Sequence, residues 1–152
     1  MVDRIETIRS IPSIAQSKGV VFTVENILPI IDGSGSFFWL RFLGCFDDED
    51  EVLYEWAVAI QGLSDCVDEI YYDRLFPLLE ELAIVDEKYV ADRVVESFNY
   101  LILKTSGENF RIVLDTYESL KSSKKISLKN TFNGIIPVMY GKTENSQFLI
   151  DY

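Results

Sequence analysis

No histidine occurs anywhere in the chain, which removes every Ser/His/Asp and Cys/His mechanism and every histidine-ligated metal in one step. Cysteine is scarce as well. Cys45 and Cys66 stand far apart in the chain without a C-x-x-C pair, so neither a zinc site nor a disulfide framework is indicated, and reduced, buried thiols are expected. Basic residues are outnumbered: 14 Lys and Arg face 25 Asp and Glu, for a net charge of −11. A surface of that sign repels phosphate backbones and anionic headgroups, which argues against nucleic acid and membrane as partners. The one basic cluster, Lys121, Lys124, Lys125 and Lys129, reads as a solvated face near a helix start. No apolar run approaches the roughly 18 residues of a membrane span. The N-terminus lacks the basic-then-apolar pattern of a secretory signal, so the cytoplasm or the nucleus is the expected compartment.

Apolar residues are plentiful, at 48% of the chain with 13% aromatic, which excludes an acidic disordered polymer. A folded chain of this length hides roughly 70% of the surface it would expose unfolded, and one domain over residues 1–152 is expected.

The apolar residues repeat. When Asp48–Leu63 is set above Asp86–Leu101, Val52 falls on Val90, Trp56 on Val94, Ile60 on Phe98 and Leu63 on Leu101, every offset being 38. A further step of 38 reaches Leu128, Phe132, Ile136 and Met139. Spacings of four, four and three put each set on one face of a helix. A second helix repeats with the same period: Leu75, Leu79 and Leu82 of DRLFPLLEEL lie over Val113, Tyr117 and Leu120 of RIVLDTYESL. Between the paired helices, SDCVDEI (64–70) and KTSGEN (104–109) are polar and short enough for helix-to-helix connections. Upstream, 2–16 and 23–31 read as an earlier pair joined across SKGVVF. Pro29 matches Pro77 at an offset of 48, so ten extra residues are inserted, with DGSGSFFWLR (32–41) the candidate. Units holding two helices that cannot bury their own apolar stripes must stack on their neighbours, and the sequence predicts an all-α solenoid, an α-α superhelix of about four helix pairs. Their approximate extents are 2–46, 47–84, 85–122 and 123–152, the last cut short.

Candidate chemistry is thin. The acidic run Asp47–Glu51 sits where a helix begins, and Asp86 and Glu87 recur at the equivalent place, as a structural role at a helix N-terminus predicts. A calcium loop would need a glycine at its turn and a closing glutamate, which DDEDEVLYEWAV does not have. In GKT at 141–143, six residues separate the glycine from the preceding one, Gly134, where a phosphate loop needs four, so it reads as a turn. A carboxylate-dependent hydrolase remains open in a chain so rich in acids. FFWLRFLGCF (37–46) is a helix packed on the solenoid, an exposed patch for a partner or a shallow membrane contact. No metal or other cofactor is expected.

DEDEVL (48–53), ILP (27–29), FPLLEELA (76–83) and VVESF (94–98), with weaker likeness from Ile5 to Tyr152, resemble the scaffold (A, PR65-type) subunit of protein phosphatase 2A, a family built from HEAT repeats. The resemblance covers nearly the whole chain and points to the N-terminal repeats. It implies a non-enzymatic scaffold that binds a regulatory (B-type) subunit through the loops inside each repeat, here SDCVDEI, KTSGEN and GKTEN (141–145). Asp65, Asp68, Glu69 and Glu108 are the residues it nominates for partner contact, as rim charges that steer association. The family's scaffold has many more repeats, and the catalytic subunit would bind only if further C-terminal repeats exist. Another adaptor task, in transport or on chromosomes, is the alternative. An unfinished solenoid is also expected to expose an apolar end face capable of self-association.

Overall fold

The structure, a computed structural model, describes residues 2–32 and 49–143. Seven helices account for most of them, and there is no strand among the described residues. They are α1 (Val2–Lys18), α2 (Val20–Phe22, a π-helical stretch Thr23–Ile27, and Leu28–Ile31 run together), α3 (Asp50–Ser64), α4 (Tyr72–Leu82), α5 (Lys88–Lys104), α6 (Phe110–Ser122) and α7 (Ile126–Thr143). Single 3₁₀ turns, Glu69–Tyr71 and Gly107–Asn109, lead into α4 and α6.

Helices α1, α3, α5 and α7 pack side by side as one layer; in the second, α2 lies against α1, α4 lies against both α3 and α5, and α6 lies against α4 and α7. The result is an all-α, HEAT-like solenoid. One core runs between the layers. Leu63, Leu75, Phe76, Leu79, Phe98 and Leu101 are all fully buried in it, and the rings of Phe76 and Phe98 stack at 6.0 Å between centroids. The repeated columns explain this core: Ile60 and Phe98 face inward at one register position, and Leu63, Leu101 and Met139 at the next.

The columns are not equivalent throughout. Val52 joins Ile8 and Ala59 in a separate small cluster, while Val90 belongs to the main core and Leu128 packs against it. Trp56 touches both clusters. In α7, Leu128, Phe132 and Ile136 are only half-buried, because among the described residues nothing packs on the far side of that helix. The expected apolar end face is also more polar than expected. Where α5 offers Ala91 and Val95 to its neighbour, the same register in α7 carries Lys129 and Asn133, both exposed.

Local chemistry accounts for the helix ends. Glu49 and Glu87 are the N-caps of α3 and α5, with extended backbone and no side-chain cap bond, so their carboxylates act only through the helix dipole. Asp50 and Glu51 form the first turn of α3, whereas Asp47 and Asp48 lie outside the described residues. Gly19, at φ 94°, and Gly107, at φ 56°, make the left-handed turns that open α2 and α6. Val20–Phe22, read from the sequence as a connection, is helical. The π-turn follows from chemistry on both sides: Leu28 N–H reaches five residues back to Thr23, and Pro29 has no N–H for the next bond. Thr23, fully buried, gives its hydroxyl to the Gly19 carbonyl at 2.8 Å.

Glycines also set how closely layer neighbours approach. A Cβ on Gly62 would lie 2.8 Å from Cγ of Pro12 in α1, and one on Gly134 would lie 2.9 Å from a Val95 methyl in α5. Polar bonds cross the same layer: Arg9 pairs with the buried Glu55 at 2.8 Å, and Ser97 Oγ donates to the Ala57 carbonyl at 2.9 Å. Cys66 is half-buried where the sequence suggested full burial, and burial raises its thiol pKa; Cys45 and the inserted segment 33–48 lie outside the described residues. Among the described residues, no helix is long and apolar enough to cross a membrane, and no group of three metal-ligating side chains forms.

Candidate partner-binding edge

Each pair of antiparallel helices turns back at the same end of the layers, so the turns 65–71 and 105–109 lie side by side along one edge. The turns are tied to each other. Asp65, just past the end of α3, accepts a hydrogen bond from Tyr100 Oη at 2.7 Å and pairs with Lys104. Lys104 also donates to the Ser64 carbonyl at 3.3 Å, and its ammonium group lies 5.3 Å from the centre of the Tyr100 ring. Tyr72 Oη donates to the same Ser64 carbonyl at 2.9 Å. The last turn of α3, whose carbonyls have no partner inside the helix, is therefore finished by side chains of α4 and α5. One period later Lys142 donates to the Leu103 carbonyl at 2.7 Å and does the same for α5.

Glu69 makes a second link. Its carboxylate accepts the Ser106 backbone N–H at 3.2 Å, the Ser106 hydroxyl at 3.2 Å and the Asn109 side-chain N–H at 3.3 Å. Ser106 caps the 3₁₀ turn and Gly107 bends it, so the bond holds one turn against the next.

The four nominated residues thus occupy two settings. Asp65 and Glu69 are spent on contacts between neighbouring units. Asp68, the N-cap of its 3₁₀ turn with no side-chain cap bond, and Glu108 are exposed, and neither makes a side-chain hydrogen bond or ion pair among the described residues. Ile70, in the same turn as Asp68, is 60% exposed. The third expected loop, 141–145, differs: 141–143 complete the last turn of α7, and 144–145 lie outside the described residues. The lysines that finish the preceding helices were missed. Their signal was in the sequence, since Lys104 and Lys142 are separated by the same period as the apolar columns.

Partial burial works against the Asp65 charge, but hydrogen bonds from Lys104 and Tyr100 and the Lys104 charge hold its carboxyl below the ordinary value of 3.8. A depressed carboxylate pKa stabilises the fold above the unfolded value, and that contribution is lost as pH falls through the folded value. Asp65→Asn is expected to cost about 0.5–1 kcal/mol at neutral pH, a figure kept small because the side chain is half in solvent. Urea melts should show the gap between the two proteins closing as pH falls below the ordinary carboxylate range; a gap that stays the same size down to the most acid pH at which the fold survives would mean that the carboxylate charge is not what Asp65 contributes.

Among the described residues this edge has no group of three metal-ligating side chains. What it offers is shape: rigidly spaced turns bearing outward carboxylates and an exposed isoleucine.

No family model matches the chain, and no solved structure matches it. Two curated proteins do. The chain is 26% identical over 144 residues to the A-type regulatory subunit of protein phosphatase PP2A from Schizosaccharomyces pombe, covering 93% of this chain. It is 27% identical over 149 residues to the beta isoform of the 65 kDa A-type regulatory subunit of human serine/threonine-protein phosphatase 2A, covering 94% of this chain. In both cases it spans 22% of the relative's length. This distant similarity, together with the stacked helix pairs, supports a HEAT-like repeat protein of the scaffold type.

Proposed function

We propose that the chain is a non-enzymatic scaffold, resembling the structural A-type subunit of protein phosphatase 2A, that uses the edge formed by the turns 65–71 and 105–109 to bind a regulatory (B-type) subunit. The observation carrying this reading is the division of labour among the carboxylates. Asp65 and Glu69 lock the spacing of the turns, leaving Asp68, Glu108 and Ile70 presented to solvent in a fixed arrangement. A preorganised edge of this kind lowers the ordering cost of association. Outward rim charges set the association rate more than the final affinity.

The test is a titration of the chain with a purified B-type subunit, with a full-length A-type subunit in parallel for control. The double charge reversal Asp68→Lys/Glu108→Lys is expected to slow association by about tenfold at low salt, with the difference shrinking as salt rises. Failure of the chain to bind while the control binds would remove this partner and leave an adaptor of some other complex.

A further inference from the structure

The opposite edge of the solenoid, where one helix pair passes to the next, carries charge of the other sign. Between Glu118 and Glu144 there is no acidic residue, and five lysines fall in that stretch. Four of them, Lys121, Lys124, Lys125 and Lys129, are clustered where α6 ends and α7 begins, and all four are exposed. Their ammonium groups make no ion pair or hydrogen bond among the described residues. Several cations elsewhere are engaged: Arg9 with Glu55, Arg74 with Asp32, Lys88 with Asp92 and Lys104 with Asp65. A protein with a net charge of −11 has carboxylates in excess, yet none of those among the described residues pairs with the lysines of this corner. In their midst is Ile126, 76% exposed and the most exposed large apolar side chain of the described residues.

We infer that this corner, Lys121, Lys124, Lys125 and Lys129 around Ile126, is a docking surface for an acidic protein segment that carries an apolar residue. Charge complementarity selects the occupant. Four ammonium groups in a short span attract carboxylates over a distance of about 8–10 Å in physiological salt, and the overall negative charge is screened beyond that range. The overall charge disfavours long polyanions such as DNA, which would run past the corner onto acidic surface. The corner also has no arginine to grip phosphate in a fork. A single exposed isoleucine suits one apolar side chain better than insertion into a lipid surface, which takes a whole apolar helix face. On one side the positive field ends at a cleft of about 340 Å³, which is shared by Ser127 and Asn130 of α7 with Asp86, Glu87 and the Lys88–Asp92 ion pair of the preceding turn and helix, a wall of net negative charge. Those acids confine an acidic segment to the α6–α7 side of the cleft.

The inference is independent of the phosphatase-subunit reading, because Asp68 and Glu108 lie at the other end of the helices. The experiment is fluorescence anisotropy with the full chain and a labelled glutamate-rich peptide containing leucines, with circular dichroism confirming the fold of each variant. The quadruple variant K121Q/K124Q/K125Q/K129Q is expected to weaken binding by at least tenfold, and Ile126→Ser by about tenfold. Arg111→Gln, which removes another exposed cation that makes no ion pair among the described residues, about 15 Å along α6, should leave binding unchanged. Equal loss with Arg111→Gln, or no loss in the quadruple variant, overturns the assignment. So does tighter binding of phosphatidylserine vesicles or duplex DNA than of the peptide, lost in the quadruple variant, since the occupant would then be of another class.

Discussion

Replacing Phe98 by alanine should remove about 3–5 kcal/mol of stability, enough to unfold much of a domain held by about 5–15 kcal/mol. Phe98 is fully buried on α5 and its ring stacks on Phe76 of α4. Truncation therefore opens a cavity between the two layers at a point where both are rigid. The control is Ile136→Ala, one period further along at the same register, where the side chain is only half-buried. It is expected to cost less than about 1.5 kcal/mol. Urea denaturation midpoints of the two variants read the contrast directly. Equal losses would mean that the core extends over α7 as fully as over α5.

The second large effect is predicted at Gly134. Alanine there gains roughly 1 kcal/mol of helix propensity, yet its methyl group would meet both Val95 methyls at 2.9 and 3.0 Å. Valine is branched at Cβ and stiff at χ1, so it cannot swing aside, and α5 and α7 must separate. A net loss of about 1–3 kcal/mol is expected. Val95→Ala removes both clashing methyls and leaves a Cβ at 3.5 Å, an ordinary contact. The double variant should therefore lose clearly less than the sum of the single losses, with a coupling of about 0.5–3 kcal/mol. Strict additivity in a double-mutant cycle would remove close helix approach as the reason for a glycine at this position.

Much of the architecture could be read from the sequence because the layers impose a strict register. Helices α3, α5 and α7 begin at Asp50, Lys88 and Ile126, two steps of 38, and the apolar columns show those steps since burial admits few residue types. Features that depend on one backbone bond were not legible. The π-turn before Pro29 and the helical Val20–Phe22 have no compositional mark, and a valine pair followed by phenylalanine suits a connection as well as a helix. The polar outer face of α7 was hidden for a different reason: the columns record which side meets the second layer, not which side meets the next unit.

At the candidate edge, chain position alone placed Asp65, Asp68, Glu69 and Glu108 together in polar turns. It could not separate those facing the neighbouring turn from those facing water. That distinction depends on Tyr100, Lys104, Ser106 and Asn109, distant in the chain, whose reach is set only once the helices are stacked.

Lys104 and Lys142 each donate to a carbonyl in the last turn of the helix that precedes theirs in the first layer. Rigidity along the stack thus belongs to the junctions more than to the modules, and it is granted backward, from later chain to earlier. Amide exchange would accordingly be slow at the ends of α3 and α5, where a successor has already closed the turn.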